Sequence, residues 1–172
     1  MTPRMKSIPA MLMLVFGIVC ADAAVAESPA PKGQAITQDV KMVERGRYLT
    51  KICGCNDCHT PGYMFSEGKV PENLWLTGDK FGWRGPWGTT YPANLRLYFQ
   101  EITEAQWVQV AKEIQRRPPM PYYSLNEMAE SDVRAMYRYI HSLGPAGKPA
   151  PKYVPPEKVP PQPYVQFPDK LN

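Results

Sequence analysis

A mostly α-helical fold is predicted for this chain of 172 residues. Two segments, residues 103–117 and 130–143, carry apolar residues at helical spacing. Strand signals are sparse, because few segments alternate apolar and polar residues. Apolar residues make up 44% and charged residues 21%, a balance that excludes wholesale disorder. The net charge of +4 is too small to indicate a nucleic-acid partner.

The predicted helices differ in how clearly the sequence marks their ends. Residues 39 to about 51 form the first, in which Gly46 indicates either close approach of another backbone or a helix end. Thr103 and Gln106 resemble a capping box at the start of the second. Two prolines stop the second helix after residue 117. The third helix has an apolar stripe at helical spacing, formed by Val133, Met136, Tyr137 and Ile140.

The N-terminus is typical of a secretory signal peptide. Arg4 and Lys6 give it a positive start, and the apolar run that follows is too short to span a bilayer. Small residues precede a cleavage site after Ala26, so we expect export and no transmembrane segment in the mature chain. An uncleaved anchor is the alternative. The predicted organisation is a signal peptide over residues 1–26, a disordered lead-in over 27–38, a folded domain over 39–144 and a tail over 145–172.

The C-terminal tail is rich in proline, with nine of the chain's 20 prolines between Pro145 and Pro168. Proline is too frequent here for a helix or a central strand, so an extended and partly polyproline II conformation is predicted. Its apolar residues would allow it to strap the domain or bind a partner subunit. A flexible tail is the alternative.

A long segment without periodicity, residues 53–94, holds seven of the 12 glycines and is interpreted as a loop region. A loop of that length in a compact domain needs something to organise it. Three cysteines of the mature chain, Cys53, Cys55 and Cys58, lie at its start. Disulfides among them would close loops too small to stabilise a fold. Cys53 is interpreted as a buried free thiol or an intermolecular bridge.

The sequence C-x-x-C-H, formed by Cys55, Cys58 and His59, is the attachment motif of c-type haem. Two thiols at this spacing can bind the two vinyl groups of one porphyrin, and the adjacent histidine can ligate its iron. A zinc site would need a second pair of ligands, which the chain lacks. A thioredoxin-like motif would need a βαβ context, which the sequence does not predict.

With this motif in place, the chain resembles the monohaem class I c-type cytochromes over about residues 43–145. The resemblance rests on segments in the family's order: residues 45–49, 55–60, 118–122 and 132–140. Within the family it looks most like the haem domains in cytochrome subunits of membrane-bound alcohol and sugar dehydrogenases, because of Leu76-Thr77-Gly78 and Ala93-Asn94-Leu95. Those subunits carry three haem motifs, and this chain carries one.

The resemblance implies a small helical domain around one covalent haem c, with long loops. Cys55 and Cys58 would form the thioethers and His59 would be the proximal iron ligand. We expect Met120 to be the distal ligand, because flanking prolines restrict its backbone and it lies in the family's methionine loop. Met128 is the alternative. Met64 follows the motif too closely to reach the opposite face of the haem.

Such a ligand pair of histidine and methionine would fill both axial positions of the iron, which favours electron transfer over catalysis. We therefore predict a non-enzymatic periplasmic cytochrome that carries single electrons from a dehydrogenase or other donor to a respiratory acceptor. Its expected partners are redox proteins, namely a dehydrogenase, another cytochrome or an oxidase, with peripheral association with a membrane complex as one arrangement. Two alternatives stay open: a haem enzyme or ligand sensor with a displaceable distal ligand, and a fixed relay subunit of an oxidoreductase complex.

Overall fold

The computed structural model describes residues 32–169, with side chains described from residue 37 onward. The signal peptide predicted over residues 1–26 lies outside the described residues. Along the chain, the helices and strands are α1 Lys32–Ile52, α2 Cys55–His59, a 3₁₀ turn Glu72–Leu74, β1 Gly82–Gly85, β2 Gly88–Thr90, α3 Leu95–Glu101, α4 Glu104–Glu113, α5 Tyr122–Asn126, α6 Glu130–Ser142 and β3 Tyr164–Gln166. The mostly α-helical prediction agrees with this content.

The first and last helices, α1 and α6, cross each other at Gly46. A Cβ atom at this position would overlap the backbone carbonyl of Ala135, so Gly46 marks a close approach of two backbones. Helix α1 begins seven residues before the predicted start, so residues 32–38 are helical where a disordered lead-in was expected. Asp39, which follows this extension directly, pairs with Arg138 of α6.

Helix α4 begins as predicted and ends earlier. Thr103 and Gln106 form the expected capping box, in which each side chain bonds to the other residue's backbone N–H. The helix ends at Glu113 rather than near residue 117. At this end the side-chain amide of Asn126 donates to the carbonyls of Ala111 and Ile114 at 2.7 and 3.3 Å, which satisfies them without a further helical turn. Pro118 has no N–H to donate to Ile114, so the helix could not have continued through it.

The main hydrophobic core lies between α3, α4 and α6. The rings of Phe99 and Trp107 are 4.6 Å apart, and both side chains are buried. The indole N–H of Trp107 donates to the carbonyl of Val133 at 3.0 Å, which joins α4 to α6. Arg96 is also buried and donates to the carbonyls of Leu143 and Gly144, where α6 ends. Its guanidinium thus replaces the hydrogen bonds that the helix end lacks.

The structure contains a small sheet that was not predicted from the sequence. Two of its strands lie in residues 53–94, which were interpreted as a loop region, and the third lies in the C-terminal tail. Strands β1 and β2 pair antiparallel, and β3 from the tail pairs parallel with β1, so the order is β2-β1-β3. The tail is otherwise irregular as far as residue 169, apart from a bridge between Val154 and Thr89. Among the described residues, no helix has the length and apolar character that crossing a membrane requires.

Candidate functional site

The C-x-x-C-H motif forms the short helix α2 directly after α1. Gly54 joins the two helices with φ of 70°, a left-handed conformation that glycine adopts without strain. Cys55 and Cys58 are three residues apart on α2, so their side chains leave the same face of the helix. Both are free thiols. The structure therefore presents two unpaired thiols side by side, followed at once by His59.

The two thiols of α2 are half-buried. Burial raises the pKa of Cys55 to about 12 and also raises the pKa of Cys58. Both groups are therefore protonated at neutral pH, whereas disulfide exchange and zinc binding use the thiolate. Cys53 differs, because its side chain is exposed. The interpretation of Cys53 as a buried thiol is wrong, since the residue lies past the last turn of α1 with its side chain in solvent.

His59 is held by a backbone carbonyl. Its Nδ1 atom lies 2.7 Å from the carbonyl oxygen of Ala93, which can only accept a hydrogen bond. The proton of the neutral ring therefore sits on Nδ1, and Nε2 keeps its lone pair for a metal. Burial lowers the pKa of His59, and the Ala93 carbonyl offsets this only in part. The imidazole is thus neutral and oriented, as an iron ligand must be.

Two loop segments meet behind His59 and fix its position. The N–H of Gly78 donates to the carbonyl of His59 at 2.8 Å, and the N–H of Leu95 donates to that of Leu76 at 2.9 Å. A Cβ atom at Gly78 would lie 2.7 Å from the backbone nitrogen of Asn94, so only glycine fits. These segments contain the two tripeptides that carry the resemblance to dehydrogenase cytochrome domains, Leu76-Thr77-Gly78 and Ala93-Asn94-Leu95.

A buried polar link ties α2 to the same loop. Asn56 lies between the two cysteines and is completely buried, and its Oδ1 atom accepts from the Thr60 hydroxyl at 2.7 Å. The same Thr60 oxygen accepts from the N–H of Leu76 at 2.8 Å. Replacing either side chain would leave a buried polar group without its partner. Asn56, one of the two residues between the cysteines, therefore helps to hold the helix in place.

The proposed distal ligand, Met120, lies on a different part of the chain from α2, immediately before α5. Its side chain is half-buried between Pro119 and Pro121. The carbonyl of Pro118 accepts from the hydroxyl of Thr90 at 3.0 Å, which anchors this segment to strand β2. The structure thus places Met120 on an irregular segment that is held at its N-terminal side by the sheet.

The alternative methionine, Met128, has a packing role. It is half-buried and packs against a small cluster formed by Leu49, Ala135 and Met136. This cluster fills the contact between α1 and α6. Met64 is largely exposed and lines a small cavity that also contains Cys58 and Trp83. Of these three methionines, Met128 is thus the one engaged in the core.

Tyr91 contributes a feature that fits a bound group. Its hydroxyl is buried and has no hydrogen-bond partner among the described residues, and burial raises its pKa. A buried polar atom of Thr50 and one of Asn56 are in the same situation, and a polar group of a ligand is one partner that such atoms could take. Two thiols and an oriented neutral imidazole at α2 together fit a bound haem. Among the described residues, no three or more His, Cys, Asp and Glu side chains are grouped to hold a metal ion.

The carbonyl of Ala93 was missed by sequence reasoning. Every residue carries a backbone carbonyl, so its role at His59 has no signal in the residue type. The closest signal was the resemblance of Ala93-Asn94-Leu95 to a known haem domain, which pointed to the segment but not to the atom.

Known proteins resemble the chain at moderate identity. It is 28% identical over 134 residues to the "Alcohol dehydrogenase (quinone), cytochrome c subunit" of Gluconacetobacter polyoxogenes, and equally to that of Komagataeibacter europaeus. Each match covers 68% of this chain and 26% of the relative, so the chain spans about a quarter of their length. No protein-family model matches the chain, and no solved structure matches it significantly. The chain is therefore similar, over about two thirds of its length, to cytochrome c subunits of quinone alcohol dehydrogenases.

Proposed function

We propose that this chain is an exported c-type cytochrome that carries single electrons. The observation that carries the proposal is His59 beside two half-buried free thiols, with its Nδ1 atom bonded to the carbonyl of Ala93. That arrangement supports a proximal iron ligand next to two attachment points. The similarity to cytochrome c subunits of a dehydrogenase supports the same function.

In this proposal each residue of the site has one role. Cys55 and Cys58 would hold one haem c through thioether bonds, His59 would ligate the iron through Nε2, and Met120 would be the distal iron ligand. The haem supplies a one-electron ferric–ferrous couple when bound. The fixed ring of His59 keeps the proximal ligand oriented in both oxidation states, which favours rapid outer-sphere transfer.

A haem enzyme or ligand sensor is the second candidate, and it requires a vacant or weakly held distal position. A peroxidase-like site would also need an acid–base group near that position. The chain has two histidines, and the second, His141, stacks on Tyr137 at the exposed end of α6. It is thus already engaged in a surface contact. This distribution of histidines favours electron transfer.

The location and partners are also proposals. A signal peptide cleaved after Ala26 would deliver the mature chain to the periplasm, where c-type haem is attached. The relatives' names make a dehydrogenase the favoured electron donor, with a respiratory acceptor downstream. One haem motif here supports either a shuttle or one relay of a larger complex. Isolation of the chain with or without a bound dehydrogenase would separate these two arrangements.

The test of the proposed function is haem attachment in three variants, each of which has one cysteine replaced by alanine. The full chain is produced with cytochrome c maturation machinery, and covalent haem is measured on denaturing gels and by mass spectrometry. We expect one haem per chain in the parent and in Cys53→Ala, the matched control. Cys55→Ala and Cys58→Ala should each lose one thioether and most of the holoprotein. Absence of covalent haem from the parent, or its loss in Cys53→Ala, would overturn the assignment.

A further inference from the structure

The proline-rich tail is bound to the sheet by its backbone. The N–H of Val154 donates to the carbonyl of Thr89 at 3.0 Å, and the N–H of Thr89 donates to the carbonyl of Val154 at 2.7 Å. Farther along, β3 pairs with β1, with Val165 opposite Trp83. A Cβ atom at Gly88 would lie 2.6 Å from the carbonyl oxygen of Val154, so β2 admits the tail only because glycine stands there. The tail therefore crosses β2 where the lack of a side chain at Gly88 leaves room for its backbone.

Side chains of the domain bind the carbonyl groups of the tail. Arg84 donates to the carbonyls of Lys158 and Pro156 at 2.7 and 3.0 Å. Proline lacks an N–H but keeps its carbonyl, so a proline-rich strand pairs poorly with a sheet and well with such donors. Arginine, with five N–H donors, suits two neighbouring carbonyls. The composition of the tail and the donors beneath it are thus complementary.

Tyr153 links the tail to the segment that carries Met120. Its hydroxyl donates to the carbonyl of Trp87 at 2.9 Å, and its ring lies 4.1 Å from the guanidinium carbon of Arg117. A guanidinium at this distance from an aromatic ring is held by a cation–π interaction. Arg117 is three residues before Met120. The tail therefore directly contacts the segment that leads to Met120.

The segment that leads to Met120, residues 117–120, is called the methionine segment here and is held at two neighbouring points. Arg117 is bound by Tyr153 of the tail, and the carbonyl of Pro118 is bound by the hydroxyl of Thr90. Thr90 belongs to β2, the strand that the tail crosses at Thr89. The tail, β2 and residues 117–118 consequently form one connected unit. Loss of the tail contact would free one of the two points that hold the segment leading to Met120.

We infer that the C-terminal tail is a strap that positions Met120, with Tyr153 and Thr90 as positioning residues. The inference rests on the proposed function, in which Met120 is the distal ligand of the iron. A distal thioether is a weak ligand, so its segment must be held near the iron for it to stay bound. A strap that restrains residues 117–118 lowers the entropy that the methionine segment loses on ligation. Release of the strap should therefore weaken ligation and leave haem attachment intact.

The experiment compares tail variants of the holoprotein by absorption spectroscopy and potentiometry. Tyr153→Ala removes the ring, Tyr153→Phe keeps it, and Arg117→Ala removes the same contact from the other side. Val159→Ala is the matched tail control, because this side chain is 81% exposed. We expect Tyr153→Ala and Arg117→Ala to lose at least about half of the ferric methionine–iron band and to lower the reduction potential. Tyr153→Phe and Val159→Ala should match the parent.

A second measurement reports on the strap without using the haem spectrum. Amide hydrogen exchange of residues 115–125 should be roughly two- to fivefold faster in Tyr153→Ala and Arg117→Ala than in the parent. Exchange in α6 should stay unchanged, which separates local release from general unfolding. Parent-like band, potential and exchange in both variants would overturn the strap. Absence of a methionine–iron band from the parent would instead overturn the proposed ligation, and with it the positioning role.

Discussion

Gly46 and Tyr139 lie so close that a Cβ atom added to Gly46 would stand 2.7 Å from the Cβ of Tyr139. Carbon atoms in contact prefer separations of about 3.5–4.0 Å, so the two helices could not keep their present crossing with a larger residue. Ion pairs that join α1 to α6 flank this crossing, among them Arg45–Asp132 at 2.9 Å. The absence of a side chain at residue 46 thus sets the distance between the helices that frame the candidate haem site.

Gly46→Ala should destabilise the protein. Alanine favours a helix by about 1 kcal/mol over glycine, but the overlap with α6 outweighs that gain. We expect the free energy of unfolding to fall by about 1–3 kcal/mol and the melting temperature by about 3–10 °C. Urea and thermal unfolding followed by circular dichroism would measure both quantities.

The matched control for Gly46→Ala is Glu44→Ala, on an exposed position of the same helix. Its effect should stay within about 0.5 kcal/mol of the parent. Equal stabilities for the two variants would show that the crossing tolerates a side chain at residue 46, contrary to the distances found here.

Replacement of the three candidate methionines should separate ligation from packing. Met120→Ala should keep covalent haem, lose the ferric methionine–iron band and lower the reduction potential. Met128→Ala should keep the band and lose about 1–3 kcal/mol of unfolding free energy, because Met128 is half-buried against the α1–α6 cluster. Met64→Ala should change neither quantity appreciably, since 48% of Met64 is exposed.

Absorption spectra of the ferric proteins and urea titrations would provide both readouts for the methionine variants. The decisive comparison is between Met120→Ala and Met128→Ala. If the band survives the first substitution and disappears with the second, the distal ligand has been assigned to the wrong methionine.

Asn94 should stabilise both α3 and the tail. Its Oδ1 atom accepts from the N–H of Leu97 at 3.0 Å, and its Nδ2 atom donates to the carbonyls of Ala146 and Lys148 at 2.8 and 3.1 Å. Asn94→Ala removes the cap and both tail bonds, and should cost about 2–3 kcal/mol of unfolding free energy.

Asn94→Ser separates the two roles of Asn94, because serine is a good helix cap but cannot reach the tail with two donors. We expect it to recover about 1 kcal/mol relative to Asn94→Ala. In both variants, amide exchange should speed up in residues 146–150, whereas α3 should exchange faster only in Asn94→Ala. If α3 frays equally in both, the capping bond to Leu97 contributes little.

Sequence reasoning succeeded where the determinants are local. The apolar stripe of α6 and the capping box of α4 lie within a few residues, so periodicity and capping rules identify them. The motif of α2 is equally local. The resemblance to known cytochromes then pointed to the Met120 loop, which periodicity does not identify. That ligand role remains a prediction.

Features that depend on contacts between residues far apart in the chain were not predicted from the sequence. Strand β1 contains two glycines, a composition that disfavours a strand, and it pairs with β3, 82 residues away at Gly82 and Tyr164. The carbonyls at the early end of α4 accept hydrogen bonds from a side chain of α5. These contacts join residues that are far apart in the chain, and no local pattern carries that information.

Glu72 provides a test of how acid affects the fold. Its carboxylate accepts from Arg47 of α1 at 2.8 and 2.9 Å and from the hydroxyl of Tyr139 of α6 at 2.8 Å. The hydrogen bond from Arg47 is the main cause that lowers the pKa of Glu72 below its ordinary value of 4.5, although burial opposes it. One carboxylate thus links the 3₁₀ turn to both crossing helices.

Because the pKa of Glu72 is lower in the folded than in the unfolded chain, its ionisation stabilises the fold above the unfolded value of about 4.5. That contribution is lost as the pH falls through the lowered pKa of the folded state. Glu72→Gln should therefore be less stable than the parent at neutral pH, and the difference should shrink on acidification below about pH 4.5. Urea unfolding between about pH 7 and pH 3 would measure it, with exposed Glu113→Gln as the control. Parallel stability curves for parent and Glu72→Gln across that range would contradict the role assigned to this carboxylate.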